Sequence, residues 1–355
     1  MKEAKEFKVI ECKGSPYEIG RQHGAACREN ILKSLEMNFG ALIHGQKATK
    51  EDVINNALKF LPNVKSFDPA IIEMVNGQAD GAGISFEEAF SLKCMLELGL
   101  YYNQIIGLCT SFAATGEATA DGKTILGQNI DWMAGFPMDL LKFEHKNGQK
   151  QLILSLGGIA EYTLSSAGFG ICANSVFNPV EDYYIGIPLG CYLPKAMRQK
   201  KIGDALGILC LAARGIGYYQ LASADGDIAG IESVLDDFNV LQPENDMLVH
   251  ANHYLTDKFK KGDWAYIMLP DSYLRLTRMQ RLMDKQRGSI TPQVMMDILS
   301  DHNNYPASIC RHVDNDKPPQ FRSETLASFI MVPEDGVMYI AYGNPCKYEF
   351  VEYKL

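Results

Sequence analysis

From about residue 17 to 100 apolar residues recur at helical spacing, through EIGRQHGAACRENILKSLEMNFGALI, EDVINNALKFL, DPAIIEMVNGQADG and FEEAFSLKCMLEL. After residue 108 the pattern changes: TSFAAT and KTILGQNI alternate or run apolar with β-branched residues. A cysteine, Cys109, stands at the change. A chain with this order cannot be a repeated βαβ array, because its helices are gathered ahead of its strands.

Turn and cap signals fill in the rest. Ser85 and Glu88 form a capping-box pair, which predicts a helix start there. Asp-Gly pairs at 121–122, 225–226 and 335–336 predict hairpins. Helices are expected around 186–215, around 270–287, and from Thr291, with Pro292 in its first turn, to about Asp301. The fold class read from this order is α+β, helices packed over antiparallel sheets. No Pro/Gly/Ser-rich linker or charge run divides the 355 residues, which predicts one domain, 1–355.

Composition excludes some functions. A formal net charge of -9 and a pI near 5.4 argue against a nucleic-acid binder. The basic clusters at Arg198–Lys201 and Arg275–Arg281 read as solvated helix faces. No run of 18 apolar residues offers a membrane span, and MKEAKEFKVIECKG lacks the apolar core of a signal peptide, so a cytoplasmic location is expected unless a signal has been removed. Nine cysteines without CxxC spacing predict mostly reduced, buried thiols. His250 and His253 invite a zinc reading with His302 or His312, but no helical pattern and no fourth ligand at sensible spacing support it. Cys310, beside Arg311, is expected to pack in the core.

If the strands fold back about Asp121-Gly122, residues whose numbers sum to about 243 face each other, which puts Asp131 opposite Phe112 and close to Cys109. A thiol attacks only as thiolate, and its ordinary pKa leaves a few per cent ionised at neutral pH. It therefore needs a base or a cation beside it. A histidine is one candidate among the seven present. Another is the α-amine that a cut between Leu108 and Cys109 would free, titrating near 8. The second explains why a cysteine would open a strand behind a long helical segment.

The segments CKGSPYEIGRQHG, CTSF, GQNIDW, SAGFGICANS, VHANHYL, LPDSYLRLTRMQRLMD and NNYPASICR occur in this order along the chain. In them the chain resembles the acyl-coenzyme A:6-aminopenicillanic acid acyltransferase (isopenicillin N acyltransferase) family, peptidase C45-like cysteine N-terminal-nucleophile (Ntn) hydrolases. The resemblance implies a four-layer αββα sandwich matured by self-cleavage into segments 1–108 and 109–355. It implies Cys109 as nucleophile, Asp131 holding the freed amine, Arg311 beside the thiol, and Asn252 as oxyanion donor. Asn174 matches a second oxyanion or substrate-contacting position. Gln128 stands where bile-salt-type relatives carry arginine and the acyltransferase-like branch glutamine. Leu108 departs from the glycine that precedes the nucleophile in the penicillin enzyme. Trp132 and Phe112 are candidates for the floor of an acyl pocket.

The expected activity is hydrolysis of a linear amide of a small N-acyl compound through a thioester, a zymogen-type amidase needing no metal or bound cofactor. The runner-up is acyl transfer from a CoA thioester or amide to an amine such as 6-aminopenicillanic acid. A binding protein of the same fold that never matures, and an uncut hydrolase using histidine, are the other readings. Loops 133–140 and 178–190 would shape the pocket. The sequence names no acyl group and leaves monomer and homo-oligomer both open.

Overall fold

The computed structural model of the chain describes residues 2–44, 48–102, 107–177, 185–211, 217–234 and 237–355. Strand β1 (Val9–Gly14) precedes the helical segment, which comprises α1 (Pro16–Ala26), α2 (Arg28–Ile43), α3 (Lys50–Leu58), α4 (Leu61–Phe67), α5 (Pro69–Ala82), α6 (Phe86–Lys93) and α7 (Met95–Tyr101). Reciprocal capping boxes start three of these helices: Ser15 with Glu18, Thr49 with Asp52, and the expected Ser85 with Glu88. Each satisfies backbone N–H groups that a helix end leaves open. Glycines let α1 and α5 touch. A Cβ on Gly20 would sit 2.0 Å from the Met74 carbonyl oxygen, and one on Gly77 2.1 Å from that of Tyr17.

Strands follow: β2 (Thr110–Ala114), β3 (Ile125–Met133), β4 (Met138–His145), β5 (Lys150–Leu156), β6 (Ala160–Ser165) and β7 (Phe169–Asn174). Helices α8 (Leu189–Met197) and α9 (Ile202–Leu211) then lead to β8 (Gly217–Ser223), β9 (Ile228–Val234), β10 (Asp237–Leu241) and β11 (Met247–His250). Short helices α10 (Asp257–Lys260) and α11 (Ala265–Met268) precede α12 (Asp271–Lys285) and α13 (Pro292–Leu299), capped by Thr291. Strands β12 (Ser323–Val332), β13 (Val337–Ala341) and β14 (Val351–Lys354) complete the chain. Of the helical stretch expected at 186–215, residues 212–215 lie outside the described residues.

The strands form two sheets, ordered β1-β4-β5-β6-β7-β8-β9-β10 and β11-β2-β3-β12-β13-β14. Among the described residues every ladder is antiparallel except β1 with β4. The sheets face each other: β2 and β3 contact β7, and the Tyr162 ring on β6 lies 5.5 Å from that of Phe329 on β12. Helices α1, α8 and α9 cover the outside of the first sheet, and α12 and α13 the outside of the second. The α+β class and the αββα layering expected from the sequence are therefore present. The larger apolar core runs from Phe7 to Tyr353 and includes residues on both sides of Cys109.

Two of the expected hairpins form as read, with Gly226 and Gly336 in positive-φ turns between β8 and β9 and between β12 and β13. The third differs. Asp121-Gly122 sits in a longer loop that includes a 3-10 turn, Gly116–Ala118, so the pairing is Thr110 with Asn129 and Phe112 with Gly127. The facing sum is 239, not 243. This shift brings Asp131 level with Leu108, whose N–H donates to the Asp131 carbonyl at 3.0 Å.

Candidate active site

Strand alternation sends successive side chains of β2 and β3 to opposite faces. Phe112 and Ala114 point into the core under α12 and α13, whereas Ser111 points between the sheets and reaches Gln220 at 3.4 Å. Cys109, two residues before Ser111, is buried on the inter-sheet side, where Tyr162 hydrogen-bonds its sulfur and Cys172 lies close. The Asp131 backbone N–H also reaches the thiol. Burial, then the Asp131 charge, pushes the thiol up to about 12, with Arg275 opposing. In the intact chain Cys109 is thus held as a neutral thiol.

Asp131 points to the other face, toward α12. Its Oδ1 accepts from the Thr325 hydroxyl at 2.6 Å, and its Oδ2 lies 3.5 Å from Arg311 Nε. Both Oδ2 and that Nε are buried without a hydrogen-bond partner among the described residues. Burial raises the carboxyl to about 6 against the pull of Arg311 and Arg275. A β-bulge in β12 between Thr325 and Ala327 breaks the ladder opposite Asp131. There Thr325 exchanges hydrogen bonds with the Arg311 main chain.

Arg311, expected beside the thiol, pairs with Asp131 and Asp271. The guanidinium nearest the nucleophile's main chain is Arg275. Its Nη1 donates to the Cys109 carbonyl at 2.9 Å and to Thr110 Oγ1 at 2.7 Å, its Nη2 to Asn252 Oδ1 at 2.8 Å, and its Nε to Asp271 at 2.8 Å. Arg275 is 1% exposed, which corrects the reading of Arg275–Arg281 as a wholly solvated face. A signal was available: Arg275, Met279 and Met283 share one stripe of α12 at i, i+4 and i+8, and all three are buried. Burial works to raise Asp271, but Arg275 and Arg311 outweigh it and hold that carboxyl below its usual range.

Asn252 is oriented by this arginine. Its Nδ2 donates to the Ser175 carbonyl at 2.8 Å and keeps a second N–H. Asn174 Nδ2 donates to the carbonyls of His250 and Ala251, and its Oδ1 is buried and unpartnered among the described residues. Gln128 spends both ends of its amide on the Ala173 main chain, at 2.9 and 3.2 Å, and so ties β3 to β7. Trp132 lines a cavity of about 520 Å³ together with Gly107, Leu108, Leu42, Met133 and Phe321. Phe112 does not reach this cavity, because alternation sends it to the opposite face. Of the 133–140 loop, Met133 lines the cavity and Phe136 packs on Trp132. In the loop expected at 178–190, residues 178–184 lie outside the described residues.

His250 and His253 are not brought to His302 and His312. His250 bonds Glu232 and stacks on Tyr218, and His253 bonds Ser272 and stacks on Tyr273. Cys109, Asp131, Arg275, Asp271, Arg311 and Asn252 form one connected group, together with the Tyr162 hydroxyl, which sequence reasoning did not single out.

The profile of the acyl-coenzyme A:6-aminopenicillanic acid acyl-transferase family matches residues 199–347. The chain is 26% identical over 333 residues to the acyl-coenzyme A:6-aminopenicillanic-acid-acyltransferase 40 kDa form of Emericella nidulans, covering 90% of this chain and 88% of that protein. Among solved structures it is similar to a mutant of the conjugated bile acid hydrolase from Clostridium perfringens, with a TM-score of 0.45, 15% identity, and coverage of 70% of this chain and 97% of that one. It is also similar to penicillin V acylase from Agrobacterium tumefaciens, with a TM-score of 0.46, 13% identity, and coverage of 66% and 83%. The family resemblance carried by the sequence segments is borne out.

Proposed function

We propose that this chain, similar along most of its length to an acyltransferase of the penicillin-related family, is a self-processing cysteine amidohydrolase acting on a linear amide of a small N-acyl compound. The observation that supports the reading is the buried Asp131 carboxylate, whose Oδ2 faces the Arg311 guanidinium at 3.5 Å but has no hydrogen-bond donor among the described residues, on a residue whose main-chain carbonyl accepts from the Leu108 N–H. A buried carboxylate oxygen without a donor is costly, and an α-ammonium freed at Cys109 would supply one.

In self-cleavage the Cys109 sulfur attacks the Leu108 carbonyl carbon, the peptide nitrogen takes a proton and leaves, and water hydrolyses the resulting thioester to free the Leu108 carboxylate. The α-amine of Cys109 then takes the thiol proton, and the thiolate attacks the substrate carbonyl. Asn252, its carbonyl oxygen fixed by Arg275, offers its remaining N–H to the oxyanion, a contribution typically of about 3 kcal/mol. The ammonium gives its proton to the departing amine. Water attacks the thioester, passes a proton back to the amine, and releases the acid. Arg275 and Arg311 hold the Asp271 carboxyl below its usual range and pull against the burial that raises Asp131. The acyl group lies in the Leu108–Trp132 cavity.

Similarity to an acyltransferase favours a second reading of the same thioester, interception by an amine instead of water. A cytoplasmic location belongs to the same proposal, since a working thiol among nine cysteines calls for reducing surroundings. No described helix is long and apolar enough to cross a membrane. The test is to incubate the protein with a panel of linear N-acyl amides, quench in acid and weigh the fragments. An acyl adduct on the Cys109 fragment, with free amine and acid accumulating, is expected; a free amine produced by the Cys109→Ala variant at the same rate would reject the assignment.

A further inference from the structure

Three side chains of the irregular segment between α13 and β12 converge with one from the β13–β14 connection. His302, Cys310, His312 and Cys346 bring one ligand atom each to within 4.8 Å of all the others. The separations are 3.6 Å for Cys310 Sγ to Cys346 Sγ, 3.5 Å for Cys310 Sγ to His312 Nε2, 3.4 Å for Cys346 Sγ to His312 Nε2, and 3.1 Å for His302 Nε2 to His312 Nε2.

These are close to the edges of a coordination tetrahedron. Bonds of about 2.3 Å to sulfur and about 2.05 Å to nitrogen place two sulfurs about 3.8 Å apart, sulfur and nitrogen about 3.6 Å, and two nitrogens about 3.3 Å. A Cys2His2 donor set of two soft thiolates and two imidazoles suits zinc rather than magnesium or calcium. With all four corners supplied by protein, the site is of the closed, structural kind. His302 is exposed and gives an entry path, while Cys310 and His312 are buried.

We propose that His302, Cys310, His312 and Cys346 bind one zinc ion that fastens the segment from Asp301 to Arg322 onto the second sheet. Each thiol gives its proton to solvent on binding, so affinity falls on acidification. The segment needs a fastener: apart from the 3-10 turn Pro319–Phe321 it has neither helix nor strand. Arg311 lies between two of the ligands, and Asn344, near Cys310 at 3.9 Å, donates to the Arg311 carbonyl at 2.7 Å. The ion would therefore act as a positioning element for the arginine that faces Asp131. The spacing His-x7-Cys-x-His with a distant Cys346 matches no zinc-ribbon pattern, so the sequence gives little notice of it.

The test is elemental analysis of the full-length chain, purified under reducing conditions, followed by removal of the metal and titration with Co²⁺. One zinc per chain, and the strong visible absorption of tetrahedral cobalt–thiolate at one equivalent, are expected. Cys346→Ser and His302→Ala should each weaken binding by more than the roughly 10–100-fold typical of losing an outer-shell partner. His302 is exposed, so His302→Ala decides the matter if Cys346→Ser does not fold. A chain that carries no zinc and develops no cobalt–thiolate band, a Cys310–Cys346 disulfide in the reduced preparation, or unchanged metal affinity in His302→Ala would each overturn the proposal. Metal content is read whether or not the chain is cut, so failure here is distinct from failure of the amidase reading.

Discussion

Asp131 is the residue on which the chemistry turns, and its titration makes it measurable. Burial holds its carboxyl at about 6 in the folded precursor instead of the ordinary 3.8. A carboxyl raised by folding favours the folded state while protonated, and that contribution is lost as pH climbs from about 4 through about 6. The two pKa values are about two units apart, so the effect is roughly 3 kcal/mol. In the uncut Cys109→Ala background, adding Asp131→Asn should therefore gain roughly 3 kcal/mol on its parent between about pH 4 and about pH 7, measured by urea unfolding. Parallel pH profiles would show that Asp131 is not held protonated at the low end. Arg275 carries the matching lesson. As one of three arginines in RLTRMQR it reads as surface, and only its place on the methionine stripe of α12 reveals that it is buried.

At the scale of elements, most of what positions the site was legible. The Ser85–Glu88 capping box, the helical periodicity ahead of Cys109 and the strand character behind it are local signals, and they survive packing. Register was not legible, because an Asp-Gly pair marks a turn without fixing how many residues the loop holds. The four-residue error in the facing sum moved Asp131 from opposite Phe112 to level with Leu108, which strengthens its link to the cleavage junction. The same alternation separates two aromatic residues that the sequence treats alike. Phe112→Ala should cost about 3–5 kcal/mol in thermal or urea unfolding while leaving the relative kcat/KM across acyl chain lengths unchanged. Trp132→Ala, which enlarges the cavity at Leu108, should shift that preference toward bulkier acyl groups. A Phe112 variant that altered acyl preference would place the pocket on the wrong face of the sheet.

On the scale of the whole molecule, the proposed cut divides the chain but not its core. Strand β1 pairs with β4, α1 packs on both, and residues from Phe7 to Tyr102 share one apolar cluster with β4 to β9. The two segments should therefore elute as a single particle in native size-exclusion chromatography and separate only in denaturant; a catalytic segment that ran alone would show that the helical layer is a removable propeptide. The α+β class followed from element order and the αββα plan from family likeness, whereas the Arg275–Asp271–Arg311 chain joins residues from distant parts of the sequence that only tertiary packing brings together. The proposed chemistry depends on a cut before Cys109. Intact-mass and N-terminal sequencing of freshly purified wild type beside Cys109→Ala reads it directly. Two fragments with Cys109 at the start of the second, and one intact chain in the variant, are predicted; a wild-type chain that stays whole while turning over an amide would contradict it and return the role of base to a histidine.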